Sequence, residues 1–168
     1  MAQRDTDKGT AARTIPAAAQ ASASKERLRL WLRLLKSTRR VESQLRENLR
    51  IEFNSTLPRF DVLAALARYQ DGLKMSALSG VLRVSNGNVT GIVDRLTQEG
   101  LVVRMQVPGD RRAMLVRLTD KGREVFAAQA EAHERWIDDL LGGFTLEEAR
   151  SFSDRFETIT NLDEEGGQ

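Results

Sequence analysis

The chain has 168 residues and a net charge of +2, and 40% of its residues are hydrophobic and 30% charged, as in ordinary soluble globular domains. No apolar run approaches the roughly 20 residues that span a bilayer, and no secretory signal opens the chain, so we expect a cytoplasmic protein that does not bind a membrane. The sequence contains no cysteine, which excludes disulfides and thiolate metal sites.

The small net charge conceals an uneven distribution along the chain. Residues 25–50 carry nine basic side chains against three acidic ones, a net of +6, and residues 72–119 carry a net of +4. Residues 120–168 carry five basic side chains against thirteen acidic ones, a net of −8. A basic centre beside an acidic C-terminal part is typical of a protein that presents one face to a polyanion such as DNA.

The N-terminal part divides into a tail and a long helix. Residues 1–24 are rich in Ala, Thr, Ser and Gln and lack apolar periodicity, which predicts a disordered tail. A helix is predicted from a cap at Ser24 towards Phe53, within a segment of residues 25–55, because apolar residues recur there at roughly helical spacing. It is longer than a small core needs, so part of its apolar stripe is expected to face a partner chain.

Residues 56–119 predict a compact lobe that opens with three helices. Thr56 and Pro58 mark the start of the first, since the missing N–H of proline costs nothing in an opening turn. The second is a short helix with Ser76 as its predicted cap, and Ser85 is the predicted cap of the third. Two helices joined by so short a link form a helix-turn-helix unit.

The third helix has a clear apolar face, and a hairpin follows it. Val89, Ile92, Val93 and Leu96 fall at i, i+3, i+4 and i+7, so they are expected to face the core. Residues 101–107 and 113–118 are β-branched and apolar and predict two strands, joined by a Pro-Gly turn. The predicted fold class is therefore mainly α with a small β wing, a winged helix-turn-helix.

The C-terminal part is predicted to be helical. Residues 120–162 form two helices, the first capped by Thr119 and the second by Thr145 after a break at Gly142-Gly143. Residues 163–168 are acidic, contain glycine and are predicted to be disordered. We expect the two helices to take part in dimerisation, because several phenylalanines lie near the end of the chain.

The outer face of the third helix carries the candidate base contacts. Asn can pair with adenine through two hydrogen bonds, and the methyl group of Thr can contact that of thymine, which points to Asn86, Asn88 and Thr90. Alternatively, the two asparagines only satisfy the helix start. Because Ser85 already occupies the cap, we favour DNA contact. Asp94 would repel phosphate, so we expect it to pair with a nearby arginine.

The tip of the wing carries the second group of candidates. Arg111 and Arg112 can enter a narrow minor groove, where the negative potential is strongest, and Asp110 is expected to orient an arginine. A solvated charged turn is the alternative. Arg83 and Arg104 are further candidates for phosphate contacts. The predicted DNA-contacting set is Ser76, Ser85, Asn86, Asn88, Thr90, Arg95, Asp110, Arg111 and Arg112.

The residues that could carry other chemistry favour structural roles. His133 is the only histidine, so it cannot build a transition-metal site with cysteines that the chain lacks. Serines that could serve as nucleophiles are already used as helix caps, and we predict no catalytic residues, no enzyme activity, no metal and no cofactor. Four aromatic residues are expected in the core or the dimer interface rather than in a ligand cage: Trp31, Phe53, Phe60 and Trp136.

The order of these elements resembles the MarR family of bacterial regulators over about residues 28–160. The resemblance implies a homodimer with interlocked N- and C-terminal helices, a double-stranded pseudo-palindromic operator, and a ligand pocket where the dimerisation helices meet the DNA-binding lobe. Four segments carry it: the opening of the second helix at 57–63, the recognition helix and its Glu-Gly-Leu end at 84–101, the wing motif Asp110-Arg111-Arg112, and the segment at 118–123.

One position departs from the family pattern. Gly91 follows Thr90 where many members have a basic or larger polar residue, so fewer long side chains would enter the groove. The run 85–91 is similar to a subgroup that regulates hydroxycinnamate catabolism. This similarity implies an aromatic acid or an aromatic acyl-CoA, such as p-coumaroyl-CoA, as the effector.

Three classes of function are therefore open. The first is a repressor that responds to a small aromatic ligand, and the second is a constitutive or architectural DNA-binding protein without an effector. The third is an enzyme or interaction module that uses the winged fold without DNA, against which the basic wing tip argues.

Overall fold

A computed structural model describes residues 17–107 and 110–160, and the surroundings of their side chains except at 17–21, 86, 107, 110–113 and 160. The chain divides into two units, Met1–Arg40 and Val41–Gln168. The elements in order are α1 (Ala17–Phe53), α2 (Leu57–Arg68), β1 (Leu73–Lys74), α3 (Met75–Leu82), α4 (Asn86–Gln98), β2 (Val102–Val107), β3 (Asp110–Leu118), α5 (Asp120–Leu141) and α6 (Leu146–Thr160).

Helix α1 begins earlier than the sequence indicated. The chain is already helical at Ala17, so Ser24 lies inside the helix and does not cap it, and residues 17–24 do not belong to a disordered tail. The physical reason is the alanine-rich opening of the helix, because alanine has the highest helix propensity. In the first unit, Leu28, Trp31 and Leu32 are more than half exposed.

In the second unit, the end of α1 packs with α2 and α5. Leu49 and Ala132 are fully buried there, and Phe60 and Trp136 are nearly so. The indole N–H of Trp136 donates to Glu52 at 3.1 Å. The expected core role of Phe60 and Trp136 is confirmed.

The core of the DNA-binding lobe is formed by α2, α3, α4 and the sheet. It is made of branched aliphatic side chains, which interdigitate closely and account for most of the stability of a small lobe. The fully buried members include Val62, Leu78, Val89, Val93, Leu96 and Val116.

The link between α3 and α4 is set by the backbone. Arg83 has φ 52° and ψ 38°, a left-handed conformation, and the N–H of Val84 donates to the carbonyl of Ser79 at 3.3 Å. This closes α3 with a Schellman-type turn and starts α4 two residues later, with Ser85 at the predicted cap position. Ser76 is not the cap of α3: Lys74 is, and Ser76 is the second helical residue.

The wing belongs to a three-stranded antiparallel sheet of order β1-β3-β2. The pair Val102↔Leu118 sets the register of β2 and β3, and an irregularity follows Gln106. Strand β1 pairs Leu73 with Val116. It was not predicted, because two residues are too short for a period-2 pattern.

Around the carbonyl of Leu101, α4, the wing and α5 meet. The N–H of Thr119 donates to this carbonyl at 3.1 Å, and the hydroxyl of Thr119 accepts from the N–H of Gly122 at 2.9 Å, which confirms the predicted cap. A Cβ at Gly122 would lie 1.9 Å from the Leu101 oxygen. Only glycine therefore allows α5 to begin so close to the start of β2. Gly100, with φ +73°, makes the turn out of α4.

The C-terminal helix leaves its surface uncovered within the chain. Thr145 and Glu148 form a capping box: Glu148 accepts from the Thr145 N–H at 2.8 Å, which lowers the pKa of the Glu148 carboxyl, and the Glu148 N–H donates to the Thr145 hydroxyl at 3.2 Å. The predicted cap is thus confirmed. All residues from 138 to 159 are exposed, Phe144, Phe152 and Phe156 among them.

No helix within residues 17–107 and 110–160 is both long and apolar enough to cross a membrane.

The first testable prediction concerns the close approach at Gly122. Gly122→Ala should lower the free energy of unfolding by at least about 2 kcal/mol, because the new methyl meets a backbone oxygen that cannot move without shifting β2. Urea unfolding measures it. The matched control is Gly87→Ala, also in the first turn of a helix, where a Cβ meets nothing within 4 Å. It should be neutral or stabilise by up to about 1 kcal/mol. Equal stabilities for the two variants would contradict the role of this contact.

Candidate nucleic-acid interface

Helix α4 separates a buried apolar face from an exposed polar one. Val89, Val93 and Leu96 have no exposed surface, whereas Asn88 and Thr90 are exposed. The two faces are those that the sequence predicted. Asn86 is the first residue of the helix, and its side chain lies outside the part of the structure that is described.

Two glycines on the exposed face have no packing role within the chain. A Cβ at either Gly87 or Gly91 would meet nothing within 4 Å. Glycine in a helix interior costs up to about 1 kcal/mol relative to alanine, so the stability of this helix alone would favour alanine at Gly91. What glycine offers here is a bare backbone surface that another molecule can approach closely.

An ion pair joins α4 to the wing. The guanidinium of Arg104 on β2 lies 2.6 Å from the carboxylate of Asp94 on the outer side of α4. The expectation that Asp94 pairs with an arginine is confirmed. Arg104 was also a candidate for phosphate contact, but Asp94 engages its guanidinium and its Nε is buried. The pair holds the wing strand against α4.

The remaining candidates surround the helix-turn-helix. Ser76, Arg83, Ser85 and Arg95 are all exposed, on α3, on the link, and at the start and on the flank of α4. No acidic residue lies in the first turn of α4, so the partial positive charge at its N-terminus is not offset there. A helix end of this kind can receive a phosphate.

The wing hairpin follows directly. Val107 on β2 stands opposite Asp110 on β3, so the two strands are joined by the predicted turn. The side chains of Asp110, Arg111 and Arg112 lie outside the described part, and their predicted roles remain predictions.

A cleft of about 400 Å³ lies at the end of α4 that is farther from the helix-turn-helix link. We call it the junction cleft and define it by Phe53, Ser55, Arg59, Glu99, Lys121 and Gln129. Arg59 forms an ion pair with Glu99, and the ammonium of Lys121 donates to the carbonyl of Glu99 at 2.9 Å. The sequence analysis missed this cleft, because its residues are scattered over more than seventy positions and none belongs to a motif.

His133 has a structural setting. Its ring stacks on Phe60 with centroids 4.7 Å apart, and burial lowers the pKa of its imidazole. In the part of the chain that the structure describes, no three His, Cys, Asp or Glu side chains are grouped so that they could hold a metal ion.

Residues 55–114 match the model of the MarR family. An uncharacterized HTH-type transcriptional regulator of Bacillus subtilis, YkoM, is 33% identical over 126 residues, which cover 74% of this chain and 71% of YkoM. The HTH-type transcriptional regulator PecS of Dickeya dadantii is 35% identical over 91 residues, and the transcriptional activatory protein BadR of Rhodopseudomonas palustris is 33% identical over 94. The chain spans only 55% of PecS and 54% of BadR. These relatives are named as regulators, not as enzymes.

Solved structures agree with the fold. A MarR family transcriptional regulator from Silicibacter pomeroyi is 35% identical with a TM-score of 0.69, and the match covers 83% of this chain and 96% of that one. A mutant MarR from E. coli complexed with operator DNA has a TM-score of 0.70 over 80% of this chain and 95% of its own, but at 24% identity it speaks for the fold alone. The predicted winged helix-turn-helix is confirmed, and the chain belongs to the MarR family.

Proposed function

We propose that this chain is a DNA-binding transcriptional regulator, a repressor that leaves a pseudo-palindromic operator when a small aromatic effector binds. The observation that carries DNA binding is the exposed face of α4, which is polar, has two open glycines and is joined to a wing strand by the Asp94–Arg104 pair. A helix of this kind fits a major groove, and the wing then reaches the neighbouring minor groove.

Each predicted contact takes a role in this complex. Asn86, Asn88 and Thr90 read base edges, and the glycines let the backbone of α4 approach the bases. Arg111 and Arg112 enter the minor groove beside Asp110. The residues around the helix-turn-helix position the protein on phosphates: Ser76, Ser85, Arg83 and Arg95.

The regulator is proposed to act as a homodimer. Two apolar surfaces support this: Leu28, Trp31 and Leu32 on α1, and the phenylalanines of α6. Phe152 contacts Phe144 edge-on at 5.6 Å and stacks on Phe156 at 6.5 Å, so these rings form one exposed patch. A second copy would cover it and would present two α4 helices to successive major grooves, about 34–36 Å apart.

The effector is proposed to change that spacing. A ligand that prefers a dimer with wrongly spaced helices lowers operator affinity tenfold with only about 1.4 kcal/mol of differential binding. An aromatic acid or an aromatic acyl-CoA, such as p-coumaroyl-CoA, remains our proposed class, because the run 85–91 is similar to the hydroxycinnamate subgroup. The second candidate is an activator, which the printed name of BadR favours.

The second prediction separates base reading from phosphate binding. On a duplex selected from a random library, Asn86→Ala or Thr90→Ala should cost about 1–3 kcal/mol of binding free energy and change affinity for random DNA little. Arg112→Ala should weaken both and lower the salt slope by about 1. Fluorescence anisotropy at several salt concentrations measures these changes.

Matched controls are Thr38→Ala on α1 and Arg135→Ala on α5, an exposed arginine paired with Glu131 at 3.1 Å. Neither should alter binding. If the α4 variants lose as much affinity for random DNA as for the selected duplex, α4 does not read bases.

The third prediction tests the dimer. Phe152→Glu should convert a dimer at micromolar concentration into monomer or aggregate, because it places a charge in the apolar patch. Light scattering after gel filtration measures the mass. Arg150→Glu, which introduces the same side chain about half a turn away on α6, should remain dimeric. A Phe152→Glu variant that stays a well-folded dimer would refute the proposed interface.

A further inference from the structure

The junction cleft concentrates buried polar atoms that have no partner. Four buried side-chain polar atoms lack a hydrogen bond among the residues that the structure describes, and three of them line this cleft: Ser55 Oγ, Arg59 Nε and Gln129 Oε1. Ser55 is only 4% exposed and Gln129 only 3%. They come from the α1–α2 link, α2 and α5, so chance within one turn does not bring them together.

Such atoms are expensive unless something binds them. A buried donor or acceptor without a partner costs about 1–3 kcal/mol, whereas an apolar side chain of the same shape would cost nothing. The stability of the fold alone therefore favours Ala at Ser55 and Leu at Gln129. Their grouping in one cleft points to a ligand that supplies the missing hydrogen bonds.

The cleft also has the charge and shape of an organic-anion site. Arg59 uses a terminal nitrogen for Glu99 and leaves Nε for another acceptor, and Lys121 spends one of its three donors on the Glu99 carbonyl. Phe53 and Leu101 supply apolar walls. A volume of about 400 Å³ lies within the range of small-molecule pockets.

We propose that the junction cleft binds a small aromatic carboxylate. Arg59 Nε–H and the Ser55 hydroxyl donate to the carboxylate, and Gln129 Oε1 accepts from a hydroxyl on the ligand. The anion partners are thus Arg59 and Lys121, not the basic residues of the first helix, from which the sequence analysis expected them to come.

Binding here has a direct route to α4. Glu99 is the C-terminal cap residue of that helix, and Arg59 ties it to α2. A carboxylate that shares the Arg59 guanidinium would repel the Glu99 carboxylate and compete with it. The end of α4 is then less firmly held. This consequence for DNA rests on the proposed function, whereas ligand binding itself does not.

The fourth prediction is tested by calorimetry on the full chain with 3- and 4-hydroxybenzoate and the corresponding amides as neutral isosteres. We expect one site per chain for at least one carboxylate, and its amide should bind at least about tenfold more weakly, because a hydrogen bond to a charged group is lost. Failure of both carboxylates to bind at millimolar concentration would overturn the proposal.

Variants locate the site. Arg59→Gln should weaken carboxylate binding about tenfold to a hundredfold, and Ser55→Ala, which is the safer variant for folding, about threefold to tenfold. Gln129→Leu should weaken binding while the melting temperature of the free protein stays equal or rises. Arg46→Gln, which removes an arginine paired with Glu42 elsewhere on α1, should bind normally. Unchanged affinity in Ser55→Ala, Arg59→Gln and Gln129→Leu would place the ligand elsewhere and refute the site.

Addition of DNA distinguishes the two proposals. If the carboxylate binds in the cleft and leaves the affinity for the selected duplex unchanged, the site stands and its regulatory role fails. If the protein binds DNA but no carboxylate, the cleft proposal fails and DNA binding stands.

Discussion

The carbonyl of Leu101 is the point on which the arrangement of the DNA-binding lobe depends. It accepts the N–H of Thr119 at 3.1 Å, and the absence of a side chain at Gly122 lets the first turn of α5 lie against it. Helix α4 ends just before this carbonyl, β2 begins just after it, and β3 ends opposite. A shift here would move the end of α4, the base of the wing and the start of α5 together. The junction cleft lies beside the same residue, so a ligand there acts on the part of the lobe that holds its elements in place.

Three surfaces of the chain are incomplete without another molecule, and each differs in chemistry. The face of α4 is polar and open, which suits the edges of bases and the phosphates beside them. The patch formed by Phe144, Phe152 and Phe156 is apolar, which suits a second copy of the chain. The junction cleft is apolar with a few inward polar atoms, which suits a small anion. The buried cores of the lobe and of the α1–α2–α5 cluster provide stability and leave these surfaces free for binding.

Local signals in the sequence predicted most of the fold. Helix caps at Thr119 and Thr145 were predicted because a hydroxyl three residues before a backbone N–H is a local signal, and the apolar face of α4 because its spacing is regular. Ser76 was wrongly taken as a cap, because the pairing of β1 with β3, a long-range contact, sets where α3 begins. The Asp94–Arg104 pair was half predicted: charge indicated a partner but not which arginine. The Arg59–Glu99 pair joins residues forty positions apart, and no local pattern reveals it.

Dimethyl sulfate protection on a duplex selected from a random library tests the central claim most directly, because the reagent methylates guanine N7 in the major groove and adenine N3 in the minor groove. If α4 reads the major groove and the wing the minor groove of each half-site, the bound protein protects two patches of guanine N7 whose centres lie about one helical turn, roughly 10 base pairs, apart. Protected adenine N3 positions should flank them. A complex that leaves every guanine N7 as reactive as in free DNA, at protein concentrations that saturate the duplex, would contradict the account.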